Sequence, residues 1–193
     1  MFKQKPSQII YCYDSEWQLL FTKMKENISN IQFQTGLPDV DIFSSCSHHC
    51  ILICDDLMSE ISQNHWAEKL FCAGIHHTNI TVIYLVQNIF PKGKVAQTIS
   101  LNIHYLILFD NRRDTLQIQT LGRQIFPGRV VYFMSAFEKA ISNKPFGYLL
   151  LDLSPQSGYN EYQLRSNILP FENTSVYVPA EWHPKNKYFY HSF

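Results

Sequence analysis

Residues 51–60 read ILICDDLMSE, an apolar run that closes on two adjacent carboxylates, Asp55 and Asp56. Ile51 to Cys54 show no polar alternation, which predicts a strand buried on both faces, the kind a parallel sheet requires. Acids at the tip of such a strand project past the sheet edge. There one carboxylate can hold Mg²⁺, a hard cation that takes oxygen ligands, and a second can orient an attacking water, as in nucleotide hydrolases. The plainer reading is that one of the two caps the following helix.

The chain downstream bears on that choice. Met58 to Gln63 and Trp66 to Ala73 read as helical, with Gly74 as a C-terminal stop and His76 and His77 as loop polarity. Ile80 to Val86, ITVIYLV, is a second apolar strand that runs into Gln87 and Asn88. Strand, helix and strand in this order make a crossover unit and predict a parallel sheet with helices on its faces. Successive parallel strands end on one edge, so Asp55, Asp56 and Gln87 are expected in one crevice. A Gln at a strand tip can sense a γ-phosphate or help orient water; its plainer use is as a solvated loop amide.

Upstream, SQIIYCY (Ser7 to Tyr13) reads as a strand, and Glu16 to Asn27 as a helix with Trp17, Leu20, Phe21 and Met24 as its core stripe. Ile31 to Thr35 reads as a short strand ended by Gly36 and Pro38. Cys46, Cys50 and Cys54 recur every fourth residue beside His48 and His49, which suggests zinc. Yet two of these thiols lie in the predicted strand and no second knuckle completes a tetrahedral site, so buried thiols are the better account.

Beyond Gln87, Pro91 to Lys94 form an exposed basic turn ahead of a helix over Val95 to Leu101. In it Lys92 and Lys94 are the candidate DNA contacts. Tyr105 to Phe109, YLILF, reads as a third buried strand. Asn111, Arg112, Arg113 and Asp114 follow, then a helix to about Ile125. Val131 to Ser142 is a further helix and Tyr148 to Leu153 a further strand, with Asp152 either a third acid or a cap. No periodicity organises the aromatic stretch from Pro170.

Composition fits one globular domain with a tail: 193 residues, 46% hydrophobic and 17% charged. A formal net charge of zero argues against a free-standing, strongly electrostatic nucleic-acid binder. No apolar run approaches the roughly 18 residues of a membrane span, and MFKQKPSQII lacks a signal peptide's apolar segment. The expectation is an intracellular protein without membrane contact. Five cysteines without framework spacing suit reduced thiols.

Three blocks carry a family resemblance: CDDLMSE (Cys54 to Glu60), GIHHTNITVIYLVQNIFPKGK (Gly74 to Lys94) and TISLNIHYLILFDNRRD (Thr98 to Asp114), with FGYLLLDLSP (Phe146 to Pro155) after them. They resemble the genome-packaging ATPases of Polinton/Maverick elements and large DNA viruses, members of the FtsK/HerA superfamily of P-loop motors. The resemblance covers Met1 to about Arg165. It implies an α/β, three-layer P-loop NTPase core, RecA/FtsK-like and mostly parallel, over residues 1–169, with an irregular tail over 170–193. It also implies ATP hydrolysis coupled to movement of double-stranded DNA by a homo-oligomeric ring, a hexamer in the complete family.

Under that resemblance Asp55 matches the Walker B acid that acts on Mg²⁺. Asp56 takes the catalytic base's place, usually Glu, and Gln87 that of the strand-tip Gln. Arg113 is the candidate arginine acting in trans, although FtsK-like motors also carry an arginine after the Asn equivalent to Asn102, where this chain has Ile103, His104 and Tyr105. One part is missing. None of the seven glycines opens a G-x-x-x-x-G-K-[ST] loop, since Asn88 and Val95 flank Gly93 and Lys94 where Gly and Ser or Thr are needed. The family's P-loop strand and helix would precede Ser7, so the chain is expected to be inactive alone and to bind neither ATP nor Mg²⁺ tightly. The alternatives are a non-catalytic module that binds protein or DNA, and a metal-dependent nuclease using Asp55, Asp56 and Asp152.

Overall fold

A computed structural model describes residues 5–14, 17–39, 49–64, 67–68, 70–71, 79–90, 92–111, 113–142, 144–155 and 162–179. Cys46, His48, Cys72, Gly74, His76, His77, Arg112, the start of the Trp66 helix and the tail beyond residue 179 lie outside them. The chain divides into two compact units, residues 1–102 and 103–193. The sequence expectation was a single core over 1–169.

In the first unit the apolar runs form the strands they predict. Its elements are β1 (Gln8–Tyr13), α1 (Leu19–Asn27), β2 (Ile31–Thr35), β3 (Cys50–Asp55), α2 (Met58–Gln63), β4 (Ile80–Leu85) and α3 (Lys94–Leu101). The four strands are hydrogen-bonded in the order β2-β1-β3-β4, every pair parallel. Tyr13 is level with Thr35 and with Asp55, and Asp55 with Leu85, so all four strands stop along one line.

Alternation along the strands divides the core. Ile10, Cys12, Leu52 and Cys54 point to one face and pack with Ile61 of α2 and Ile99 of α3. Tyr11, Ile31, Phe33 and Ile53 point to the other, against Phe21 of α1. Phe21 is fully buried, a contribution of about 1.5–3 kcal/mol for one such ring. The expected α1 stripe is narrower than predicted: Trp17 is 50% and Leu20 55% exposed. Trp17 precedes the helix and sets its ring edge-on to Phe21 and Phe33 rather than inside the core.

The second unit holds β5 (Tyr105–Phe109), α4 (Thr115–Ile125), α5 (Val130–Ser142), β6 (Tyr148–Asp152), β7 (Leu164–Ser166) and β8 (Ser175–Tyr177). Its sheet runs β5-β6-β7-β8 and every pair is antiparallel. This corrects the expectation that YLILF continues the parallel sheet as a buried strand. The two helices α4 and α5 between β5 and β6 carry the chain back, so that it enters β6 from the opposite end. Only Leu108 of β5 is buried, while Tyr105, Ile107 and Phe109 are exposed. β8 falls within the stretch expected to be irregular. Gly122 of α4 gives Phe133 of α5 its place, because a Cβ there would stand 2.4 Å from the ring.

Candidate functional site

Three of the four strands of the first unit deliver polar groups to the same edge. β1 runs out into Asp14, β3 ends on Asp55 with Asp56 next, and β4 is followed by Val86 and Gln87. Tyr13, Asp14, Gln18, Asp55, Asp56 and Gln87 line one open cavity of about 390 Å³. The three residues expected to meet, Asp55, Asp56 and Gln87, do meet. Gln87 Nε2 donates to Asp56 Oδ1 at 3.3 Å.

The two acids are held differently. Asp55 continues the β3 alternation onto the Tyr11 face, where the Tyr11 hydroxyl donates to its Oδ2 at 2.8 Å. Burial first, then this bond and the Asp55 charge, push the Tyr11 phenol well above its ordinary pKa, so it stays a donor. Asp56 leaves the strand with φ of 56°, the left-handed region that L residues seldom enter, and is exposed. Its charge, after burial and Cys54, helps push the Tyr84 phenol up to about 12.

Three cavity residues, Tyr13, Asp14 and Gln18, escaped the sequence reading. Asp14 follows a strand paired with β3, and that pairing is the signal that would have found it. The other candidates stand elsewhere. Lys92 and Lys94 are exposed, as expected, and neither lines the cavity. Arg113 is exposed in the second unit, its backbone N–H bonded to Asn111 Oδ1 at 3.1 Å. Asp152 is buried there with both oxygens engaged, one by Arg165 and one by the Ser154 N–H. Cys50 and Cys54 are buried thiols on the core face. Burial pushes Cys54 up, with Cys12 and Glu60 adding to it.

The donor set fits a hard cation. Carboxylates and carboxamides supply oxygen, and among the described residues no Lys or Arg lines the cavity. Among the described residues no three His, Cys, Asp or Glu side chains form a cage. Mg²⁺ does not need one, since it keeps several waters and takes one or two carboxylates. Asp55 would hold it with Asp56 beside it, and bound there it would neutralise phosphate charge beside an attacking water.

Fold and site together define an α/β protein whose parallel sheet ends in an acidic cleft. No protein family, curated protein or solved structure matches the chain. Among the described residues no helix is long and apolar enough to cross a membrane.

Proposed function

We propose that the first unit is the acid-and-water half of a P-loop-type ATPase site, the Walker B half of a DNA-packaging motor of the FtsK/HerA kind. One observation carries the reading: Asp55, Asp56 and Gln87 leave adjacent ends of parallel strands into one cavity, with Gln87 bonded to Asp56. In this role Asp55 would hold Mg²⁺, and Asp56 would accept a proton from a water that Gln87 helps to orient. A helix cap is a poorer account, because α2 starts at Met58 with Leu57 as its cap residue and no side-chain cap bond.

The same lining supports catalytic incompetence of the chain alone. Asp14, Asp55 and Asp56 face the cavity with no cationic side chain beside them among the described residues, so the phosphates of ATP meet like charge there. β4 also stands at the end of its sheet with Ile83, Leu85 and Val86 exposed, an edge able to take a further strand such as one that carries a phosphate loop. Double-stranded DNA, a hexameric ring, Lys92 and Lys94 on the DNA and Arg113 acting in trans belong to the same proposal.

The purified chain is expected to show no Mg²⁺-dependent ATPase activity. Turnover that Asp55→Ala abolished would overturn the claim of incompetence. The exposed apolar edge of β4 favours the second reading, a non-catalytic module that binds partners. That reading predicts binding insensitive to Asp56→Ala. The nuclease reading loses its third acid, since Asp152 is engaged by Arg165 and Ser154.

A further inference from the structure

The bond between Tyr11 and Asp55 does more than satisfy a buried hydroxyl. Tyr11 is 6% exposed, and its ring is held by Phe21 at 5.0 Å and Phe33 at 5.4 Å between centroids. A ring boxed in this way has little rotamer freedom, so its O–H points in one direction. A phenol has one proton to donate, and Tyr11 gives it to Asp55 Oδ2. One acceptor site of Oδ2 is then taken, which leaves Oδ1 the freer oxygen for a ligand in the cavity that Asp55 lines. Among the described residues Asp56 has no comparable support: it is exposed, and its amide partner Gln87 stands at 3.3 Å. Groups behind a metal ligand fix its orientation and hence its affinity.

We infer that Tyr11 is a positioning residue, whose hydroxyl fixes the Asp55 carboxylate so that Oδ1 faces the cavity as the oxygen Asp55 gives to a divalent cation. The inference rests on the reading of Asp55 as the cation's acid. It adds a residue buried beneath the cavity, on β1 rather than β3. Its chemistry is that of a donor which never touches the cation. Removing the hydroxyl frees the carboxylate to rotate and lets Oδ2 compete.

The test is a titration of the full chain with Mn²⁺, read by electron paramagnetic resonance, for wild type, Tyr11→Phe, Asp55→Asn and Phe33→Leu. Tyr11→Phe should weaken Mn²⁺ binding about tenfold, the low end of what loss of such an outer partner costs. Phe33→Leu, which loosens the aromatic box and keeps the O–H, should stay within about twofold of wild type on the same principle. Tyr11→Phe should add nothing in an Asp55→Asn background. If Asp55→Asn abolishes binding while Tyr11→Phe leaves it unchanged, the positioning role is wrong and the role of Asp55 stands. Equal weakening by Tyr11→Phe and Phe33→Leu would reduce Tyr11 to packing and overturn the inference. If wild type binds no Mn²⁺, or Asp55→Asn binds as wild type does, the reading of Asp55 fails and the inference with it. A second measurement guards against a Tyr11→Phe chain that does not fold. Mg²⁺ should produce a near-ultraviolet tyrosine difference band in wild type and in Tyr13→Phe, but not in Asp55→Asn. Its absence in wild type would also overturn the inference.

Discussion

Tyr11, Cys12, Cys54 and Tyr84 lie on adjacent strands beneath the cavity, and the folded chain keeps all four protonated. Cys12 is pushed from 9.0 up to about 12, by burial first and the Glu60 charge second. Tyr84 also rises to about 12, and Tyr11 and Cys54 are raised as well. The folded pKa lies above the unfolded one in each case, so unfolding releases protons once the pH passes the unfolded value. The stability these groups contribute is complete below about pH 9 and is lost as the pH rises toward 12, at about 1.4 kcal/mol per pH unit for each group ionised only when unfolded. Urea midpoints should therefore hold level from pH 7 to about 8.5 and fall steadily beyond 9. Cys12→Ala should lower stability at pH 7 and shallow the alkaline fall; an unaltered slope would show that Cys12 contributes nothing to it. At this scale the sequence was legible only where chemistry is explicit. Two adjacent acids at a strand tip announce themselves. Tyr11 sits in SQIIYCY as one β-former among several, and its reach to Asp55 depends on a pairing 44 residues away.

At the scale of elements, α3 begins with its charge misplaced. Lys94 is its first residue, no acid occupies the first turn, and Gly93 supplies a cap residue at φ 115° without a side-chain bond. A cation at a helix N-terminus opposes the helix dipole, so Lys94→Glu should raise stability by about 0.3–1 kcal/mol. The same variant should weaken retention of double-stranded DNA if the Lys92 and Lys94 turn touches it. A gain in stability with unchanged DNA retention would remove the turn from the DNA proposal. Local pattern made most elements readable, with β2, β5 and α2 matching their expected bounds residue for residue. Pairing direction was not readable, because it is set by what lies between strands. α1 alone returns the chain between the parallel strands β1 and β2, whereas the pair α4 and α5 reverses it between β5 and β6. The three-residue strands LRS and SVY are too short to show any period.

For the whole molecule, 16 basic residues balance 16 acidic ones, leaving the eight histidines to decide net charge near neutrality. A chain without net charge has little to keep copies apart, and β4 offers them an edge. Ile83 is 38% exposed, Leu85 42% and Val86 39%, with no strand on the far side of β4 among the described residues. Light scattering should show concentration-dependent association at pH 7. Ile83→Lys with Leu85→Lys should suppress it at pH 7, since charged side chains blunt an edge. Association that persisted in the double variant would place the sticky surface elsewhere. The parallel sheet and its acidic edge were legible from ILICDDLMSE outward. The division at residue 102 was not, because it reflects which cores close on themselves rather than any break in composition.

The left-handed backbone at Asp56 bears on heredity. Such a position favours Gly and tolerates Asn or Asp, whose short side chains bond locally, over longer side chains. Glu is the less suited of the two acids here, while Asp56→Asn and Asp56→Gly are compatible with the backbone. Both are single-base changes from an Asp codon, and both remove the charge. In a lineage released from selection for this carboxylate, mutation and folding stability favour the same substitutions. Residue 56 is then where loss of the site would be written first, in chains that still fold.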